Sequence, residues 1–398
     1  MSMKPEREPA DMTGKSGAVT AAACPDYSEG AVRQAVSRVL GSWPGLEKIV
    51  PGTRIAVKVN LVSAQAPDKA ATTHPQMVCE LCRQLTSRGA DVTVGDSPGG
   101  LFTRDALKRV YRACGMTQVE EAGAKLNYDT GTEDVSFPQA ASAHVFSCTS
   151  WLRKADLIID FAKLKTHGMV GMTAAVKNMF GAIPGTTKPE YHMRFPETKA
   201  FCNMLIDLNE CLRPALYLVD AVLCMEGNGP TAGSPRHMGL LLGSEDPYGL
   251  DMVCGSLIGL SRKDNPTLQC AWERGLGPAE ASEVTVLGED PGAWAIGDFR
   301  NASRVNVTFT GDGPLGHLAS AIFRKAMQQV PMVTPSECIG CGKCFRVCPA
   351  HAITMVSKKP KIDRGKCIHC FCCQEFCPKG AMKVHRTLLA RMLQKKEN

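Results

Sequence analysis

The sequence predicts an α/β fold: an open, mostly parallel sheet with helices on both faces, followed by a small C-terminal α+β domain. Three observations predict it. Short apolar runs alternate with helical-period segments along most of the chain. Several runs end in glycine-rich or charged stretches, as strands of open α/β sheets do at their ligand-binding edge. A dense cysteine pattern, given twice, then fills a short C-terminal segment.

Residues 1–17 are polar and charged and read as a disordered tail. Ala18 to Ala22 is the first strand. Ser28 precedes a helix with Val32, Val36 and Leu40 on one face, ended by Pro44 and Gly45. Arg54 to Asn60 is the next strand. Pro75 opens a helix at the position where its missing N–H costs least, with Val78, Leu81 and Leu85 inward and Gly89 as its stop. Asp91 to Val94 returns as a strand into Gly95-Asp96-Ser97-Pro98-Gly99-Gly100. Thr103 to Cys114 and Phe201 to Leu212 carry helical spacing, as does Pro247 to Ile258. Ala155 to Asp160, Leu216 to Asp220 and Gly239 to Leu242 read as strands, and Arg304 to Phe309 as a last edge strand. The α/β domain is expected over residues 18–315. A connecting helix is expected within 316–335, built on His317 to Gln328.

Residues 336–385 hold the repeat. Cys338-x2-Cys341-x2-Cys344-x3-Cys348-Pro349 recurs as Cys367-x2-Cys370-x2-Cys373-x3-Cys377-Pro378. Soft thiolates at this spacing suit two [4Fe-4S] clusters of the bacterial two-cluster ferredoxin type. The fourth cysteine of each run crosses to the other cluster. One cluster would take Cys338, Cys341, Cys344 and Cys377, and the other Cys348, Cys367, Cys370 and Cys373. Zinc would need only one four-thiolate set and leaves the duplicated Cys-Pro ends unexplained. Cys372 reads as a spare buried thiol.

Of 19 cysteines, the ten outside this segment are scattered, as single thiols in a reducing cell are. Cys79 and Cys82 form a CxxC one helical turn apart without a partner pair, and read as buried thiols. No run of about 18 apolar residues is present, so no membrane span is expected, and a cytoplasmic, oxygen-poor setting follows. The net charge of +7 is uneven: Pro331 to Asn398 has 13 Lys/Arg against 4 Asp/Glu, a surplus of nine. That surplus compensates anionic clusters or docks the module on an acidic redox partner protein or anionic surface. No stacking platform or nucleic-acid motif accompanies it, so nucleic acid is not an expected partner. Residues 386–398 are a basic tail, with Leu388, Leu389 and Met392 spaced as a packing helix.

At the strand ends of the α/β domain the candidate anion-binding residues are Lys58, Asn60, His74, Asp96, Lys163, Lys165, His167, Lys177, Asn178, Asp220 and Glu226. The richest stretch is Lys163-Leu164-Lys165-Thr166-His167-Gly168, ahead of a helix expected near Ala174. Lysines and a helix N-terminus together suit a carboxylate or phosphate. Neither a Walker A loop nor GxGxxG is present. Asp251 would bind metal, act as a base or cap a helix. His192 and Arg194 follow Pro184-Gly185-Thr186-Thr187 and read as a mobile loop.

These stretches resemble the prokaryotic domain-of-unknown-function family 362, in its version fused to a C-terminal ferredoxin module. The likeness rests on Val57-Lys58-Val59-Asn60-Leu61, Thr73-His74-Pro75, Gly95-Asp96-Ser97-Pro98-Gly99, Lys163-Leu164-Lys165-Thr166-His167, Val176-Lys177-Asn178-Met179-Phe180-Gly181 and Asp220 through Glu226-Gly227-Asn228-Gly229-Pro230. Asp246 and Asp251 match later acidic positions. Val59 and Ala162 stand where the family usually has proline. Thr73-His74-Pro75 and Gly95-Asp96-Ser97 are also similar to the N-terminal domain of nickel-pincer lactate racemases, a likeness of fold. The resemblance implies an iron–sulfur protein but no reaction.

The expected function is a ferredoxin-linked oxidoreductase that delivers low-potential electrons to an anionic substrate or cofactor in the α/β domain. A non-enzymatic carrier docked to a partner complex is the alternative. So is a maturation factor holding a metal through His74, Asp96 or Glu226.

Overall fold

The computed structural model describes residues 17–301 and 330–385. The expected strand at Arg304, the connecting helix and both terminal tails lie outside the described residues, apart from Gly17. The elements run β1 (Val19–Ala23), α1 (Glu29–Gly41), β2 (Arg54–Val59), α2 (Pro75–Thr86), β3 (Asp91–Gly95), α3 (Arg104–Ala113), β4 (Lys125–Leu126), β5 (Thr132–Ser136), β6 (Val145–Thr149) and α4 (Ser150–Lys154). They continue as β7 (Leu157–His167), β8 (Gly171–Thr173), α5 (Ala175–Asn178), α6 (Lys188–Arg194), α7 (Thr198–Leu212), β9 (Leu216–Glu226), β10 (Ser234–Ser244), α8 (Pro247–Leu257), α9 (Pro266–Glu273), β11 (Val286–Gly288) and α10 (Pro291–Trp294).

One sheet organises the α/β part, in the order β11-β1-β10-β9-β7-β2-β3-β4, with β8 folded back on β7. The pairs β7–β2, β2–β3, β3–β4, β7–β9 and β1–β11 are parallel. β10 runs antiparallel to both neighbours. Alternation along β7 feeds two cores. Ile159 and Phe161 pack with α1, α2 and α3 on one face, while Ile158, Ala162 and Leu164 pack with α7, α8 and α9 on the other.

The chain steps from β2 outward to β3 and β4, then returns to β7 on the other side of β2 and moves away to β9. Neighbouring strands β2 and β7 therefore lead off in opposite directions, and the ends of such a pair form a crevice.

The structure departs from several expectations. β7 and β9 run on to His167 and Glu226, so Lys163, Lys165 and His167 lie within a strand rather than beyond one. The helix ahead of them is α5, only four residues long. Both carboxylate oxygens of Asp251 already accept its first amides, from Ala175 at 2.7 Å and Val176 at 3.2 Å. Asp251 is a helix cap, and no anion site forms at that N-terminus. Ser28 makes no capping bond with its side chain. His192 and Arg194 belong to α6 and not to a loop, and the His192 ring is buried, stacked on Phe201 at 4.4 Å.

In the second part, β12 (Val330–Val333) pairs with β15 (Met382–His385), and β13 (Ile353–Val356) with β14 (Lys359–Ile362). Two one-turn helices, Lys343–Arg346 and Cys372–Glu375, occupy equivalent places in the cysteine repeat. The residue before each helix is left-handed: Gly342 at φ 68° and Phe371 at φ 60°. Glycine adopts this conformation freely, whereas an aromatic residue must be held there by its surroundings. The Phe371 ring is buried in the core shared with the α/β part.

Candidate functional site

At the β2/β7 crevice lies a small cavity, partly open to solvent. β2 and its exit give Lys58 and Asn60, β3 leads to Asp96 and Ser97, and β7 gives Lys165 and His167. α5 adds Lys177 and Asn178, and Lys188 reaches in from α6. The cysteine-rich part adds Glu375 and Phe376 to the wall.

Each cation is held differently. Lys58 is buried and pairs with Asp96 at 3.1 Å. Asp96 also accepts the amides of Leu61 and Ser97 at 2.7 and 2.9 Å, so this ion pair is fully built. A Cβ on Gly181 would come within 2.5 Å of the Lys58 Nζ, which is why glycine stands there. Lys165 donates to Asn60 Oδ1 at 2.9 Å and to the Ala71 carbonyl at 2.6 Å. Asn60 in turn donates to Asn178 Oδ1, and Asn178 to Asp160 Oδ1, each at 2.8 Å. Lys188 donates to the Ser97 carbonyl. Lys177 lies 4.8 Å above the Phe180 ring.

Lys165 and Lys188 thus meet only neutral acceptors. Burial pushes their ammonium groups down, to about 7 and about 8, and lowers Lys177 as well.

His167 supplies a hydrogen bond and not the positive charge that its sequence context suggested. Its Nδ1 accepts backbone amides from Met169 at 3.1 Å and Val170 at 3.3 Å, so the lone pair is in use there. The remaining nitrogen, Nε2, carries the proton and donates to Glu375 Oε1 at 2.7 Å. Burial opposes ionisation of Glu375, but Lys177 and the His167 bond more than offset it and hold the carboxyl well below its usual range.

The second part is gripped through one short helix. Gln374 Nε2 donates to Asn228 Oδ1 and the Gly229 carbonyl, both at 3.0 Å. Thr166 holds that loop in place, accepting from Gly229 N at 3.1 Å and donating to the Gly227 carbonyl at 3.0 Å. Phe376 packs on Gly99, where a Cβ would meet the ring at 3.0 Å.

The cysteines line two cavities. One is bordered by Cys338, Cys341, Cys344 and Cys377. The other is bordered by Cys348, Cys367, Cys370 and Cys373, with Cys372 alongside. Each cavity draws three cysteines from one run and the last from the other, the donor set that a four-iron cubane requires.

Four nominated residues lie elsewhere. Lys163 is fully buried against Asp220 at 2.8 Å, with Tyr27 OH also at 2.8 Å. His74 stacks on Tyr27 at 3.5 Å, and burial pushes it down to about 4. Glu226 is committed to Arg300 at 2.7 Å. His74, Asp96 and Glu226 therefore answer to three different partners and make no common metal site. Conversely, sequence reasoning missed Lys188, Glu375 and Phe376. Glu375 had a visible signal: it is an acid between two cysteines of a strongly basic module, where the first repeat has Arg346.

The domain-of-unknown-function family DUF362 matches residues 55–256, just over half of the chain. The chain belongs to this family. A 4Fe-4S dicluster domain matches residues 337–381. The thylakoid-associated protein sll1697 of Synechocystis sp. is 29% identical over 266 residues, 65% of this chain and 79% of that protein. Among solved structures, the lactate racemase apoprotein from Thermoanaerobacterium thermosaccharolyticum aligns at 13% identity with a TM-score of 0.40, over 62% of this chain and 58% of its own. A Thermotoga maritima protein aligns at 11% identity with a TM-score of 0.36, over 56% of each chain. Among the described residues no helix is long and apolar enough to cross a membrane.

Proposed function

We propose that this chain is a ferredoxin-linked oxidoreductase acting on a small anionic substrate or cofactor in the cavity between its two parts. The carrying observation is the pair of buried lysines, Lys165 and Lys188, whose hydrogen bonds go only to neutral acceptors, around a cavity that the cysteine-rich part borders. Burying an ammonium without a counter-charge is costly, and an incoming anion removes that cost. In this reading Cys338, Cys341, Cys344 and Cys377 hold one [4Fe-4S] cluster, and Cys348, Cys367, Cys370 and Cys373 hold the other. When bound, the clusters supply single low-potential electrons.

The residues of the chain do the rest. Lys165, Lys177 and Lys188 bind and orient the anion. The Asn60–Asn178–Asp160 chain fixes the direction in which Lys165 points. At neutral pH Lys165 is poised to give a proton to a reduced ligand atom, since its ammonium titrates at about 7. Phe376 and Phe180 exclude water. The His167–Glu375 bond keeps the helix carrying Cys373 against the cavity. An oxygen-poor cytoplasm suits such a protein.

Calorimetric titration of the anaerobically purified chain with malonate tests the anion site. One site per chain, weakened roughly tenfold or more by Lys177→Met, is expected. Heats unchanged by that substitution, or absent, contradict the reading.

A further inference from the structure

The two cysteine repeats place equivalent helices in opposite surroundings. In the second repeat Cys372 and Gln374 are buried and Glu375 half-buried, and Gln374 and Glu375 bond to the α/β part. The equivalent positions of the first repeat are Lys343, Phe345 and Arg346, and all three are exposed. Phe345 is 48% accessible, and Ile339, in the same cysteine run, 61%. Ile339, Lys343 and exposed Lys379 border the cavity of Cys338, Cys341, Cys344 and Cys377, and Cys341 is itself exposed. The cavity of Cys348 and Cys367 instead has buried Cys370, Phe371, Cys372 and Cys373 on its walls. One end of the module is thus spent on docking inside the chain. The other shows an apolar centre rimmed by cations, the pattern of a protein–protein contact.

We propose that this face, centred on Phe345 and Ile339 and rimmed by Lys343, Arg346 and Lys379, docks an acidic one-electron carrier protein. The inference rests on the reading above that the module carries electrons. Charge selects the partner: the described residues of the module hold nine Lys/Arg against three Asp/Glu. One of those acids, Glu375, faces the cavity, and another, Glu337, is paired with Lys383. Each encounter moves one electron, lost by the carrier and gained by the module, with no bond made or broken. Entry at this end leaves the other end free to face the ligand cavity.

The test is binding of the holo chain to a purified acidic plant-type ferredoxin, read by interferometry with no cavity ligand present. Its failure therefore leaves the anion reading standing, and the reverse holds. Affinity is expected to fall roughly tenfold between about 20 and about 200 mM salt. The double variant Lys343→Glu/Arg346→Glu should weaken binding by roughly tenfold or more. Lys361→Glu/Lys366→Glu, an equal charge change elsewhere on the module, should weaken it less than about twofold. If charge reversal impairs cluster loading, lysine acetylation of the wild-type complex decides: Lys343 and Lys379 are protected, and Lys361 and Lys366 are not. Equal effects of the two double variants, equal labelling, or no salt-sensitive binding overturns the proposal. So does binding to phosphatidylglycerol vesicles through the same residues without ferredoxin binding, which assigns the face to a lipid surface.

Discussion

His167 Nε2 donates a 2.7 Å hydrogen bond to Glu375 Oε1, joining a strand of the α/β sheet to the helix that carries Cys373. Because Met169 and Val170 occupy the other ring nitrogen, the bond has one direction. Removing the carboxylate leaves the buried His167 donor without its acceptor and takes a negative charge away from Lys177. Glu375→Ala is expected to loosen the interface by about 1.5–3 kcal/mol. Hydrogen exchange should quicken at residues 371–377 and 227–231 and stay unchanged in α1. Glu375→Gln, which keeps an acceptor, should restore much of the protection.

Phe371 pays a backbone cost to put its ring in the neighbouring core, where the first repeat has Gly342. Phe371→Gly relaxes the backbone and removes the anchor. Losing a buried aromatic costs about 3–5 kcal/mol, more than the roughly 1–2 kcal/mol of strain released. The variant should melt earlier, and hydrogen exchange should quicken at residues 371–377. A melting temperature at or above wild type would show that the ring anchors nothing.

Anion binding should fade as pH rises. Lys165 and Lys188 lose their protons near 7 and 8, so malonate affinity should be full below about pH 6.5 and drop steeply by about pH 9. Isothermal titration across this range checks it. A flat profile would mean that neither lysine meets the ligand.

Stability without an anion should move the other way. Lys165 and Lys188 are depressed in the native chain, so between pH 7 and 9 the unfolded chain binds more protons and stability rises with pH. Above about 9 the sign reverses. Burial pushes Cys79, Cys114 and Cys211 up to about 11 and Cys24 and Cys224 to about 12, and these five thiols together outweigh the two lysines, so the native chain then holds the extra protons. The melting temperature should peak near pH 9, and Lys165→Met/Lys188→Met should flatten the rise.

Local pattern made much of this molecule legible. Apolar runs marked β2, β3 and the starts of β7 and β9, and helical spacing marked α1, α2, α3, α7 and α8. The cysteine spacing grouped the same two sets of four that line the two cavities. What sequence hid depends on distance. The extension of β7 to His167 comes from pairing with β8 and β9, which the basic composition of that stretch does not announce. Lys163 and Lys165 sit two residues apart, yet one is spent on Asp220 and the other faces the cavity. A bulge between them in the pairing with β9 accompanies that split. Glu375 entered the site only because the second part folds back over the sheet edge, which no residue spacing encodes.

Reoxidation of the pre-reduced chain tests the central claim most directly. Wild type and Lys165→Met/Lys177→Met, both with full iron content, are mixed anaerobically with a panel of small 2-oxo and unsaturated carboxylates while the visible absorbance is followed. At least one acceptor should oxidise the wild type roughly tenfold or more faster than the variant. If every acceptor oxidises both proteins at the same rate, electrons do not reach a ligand in this cavity.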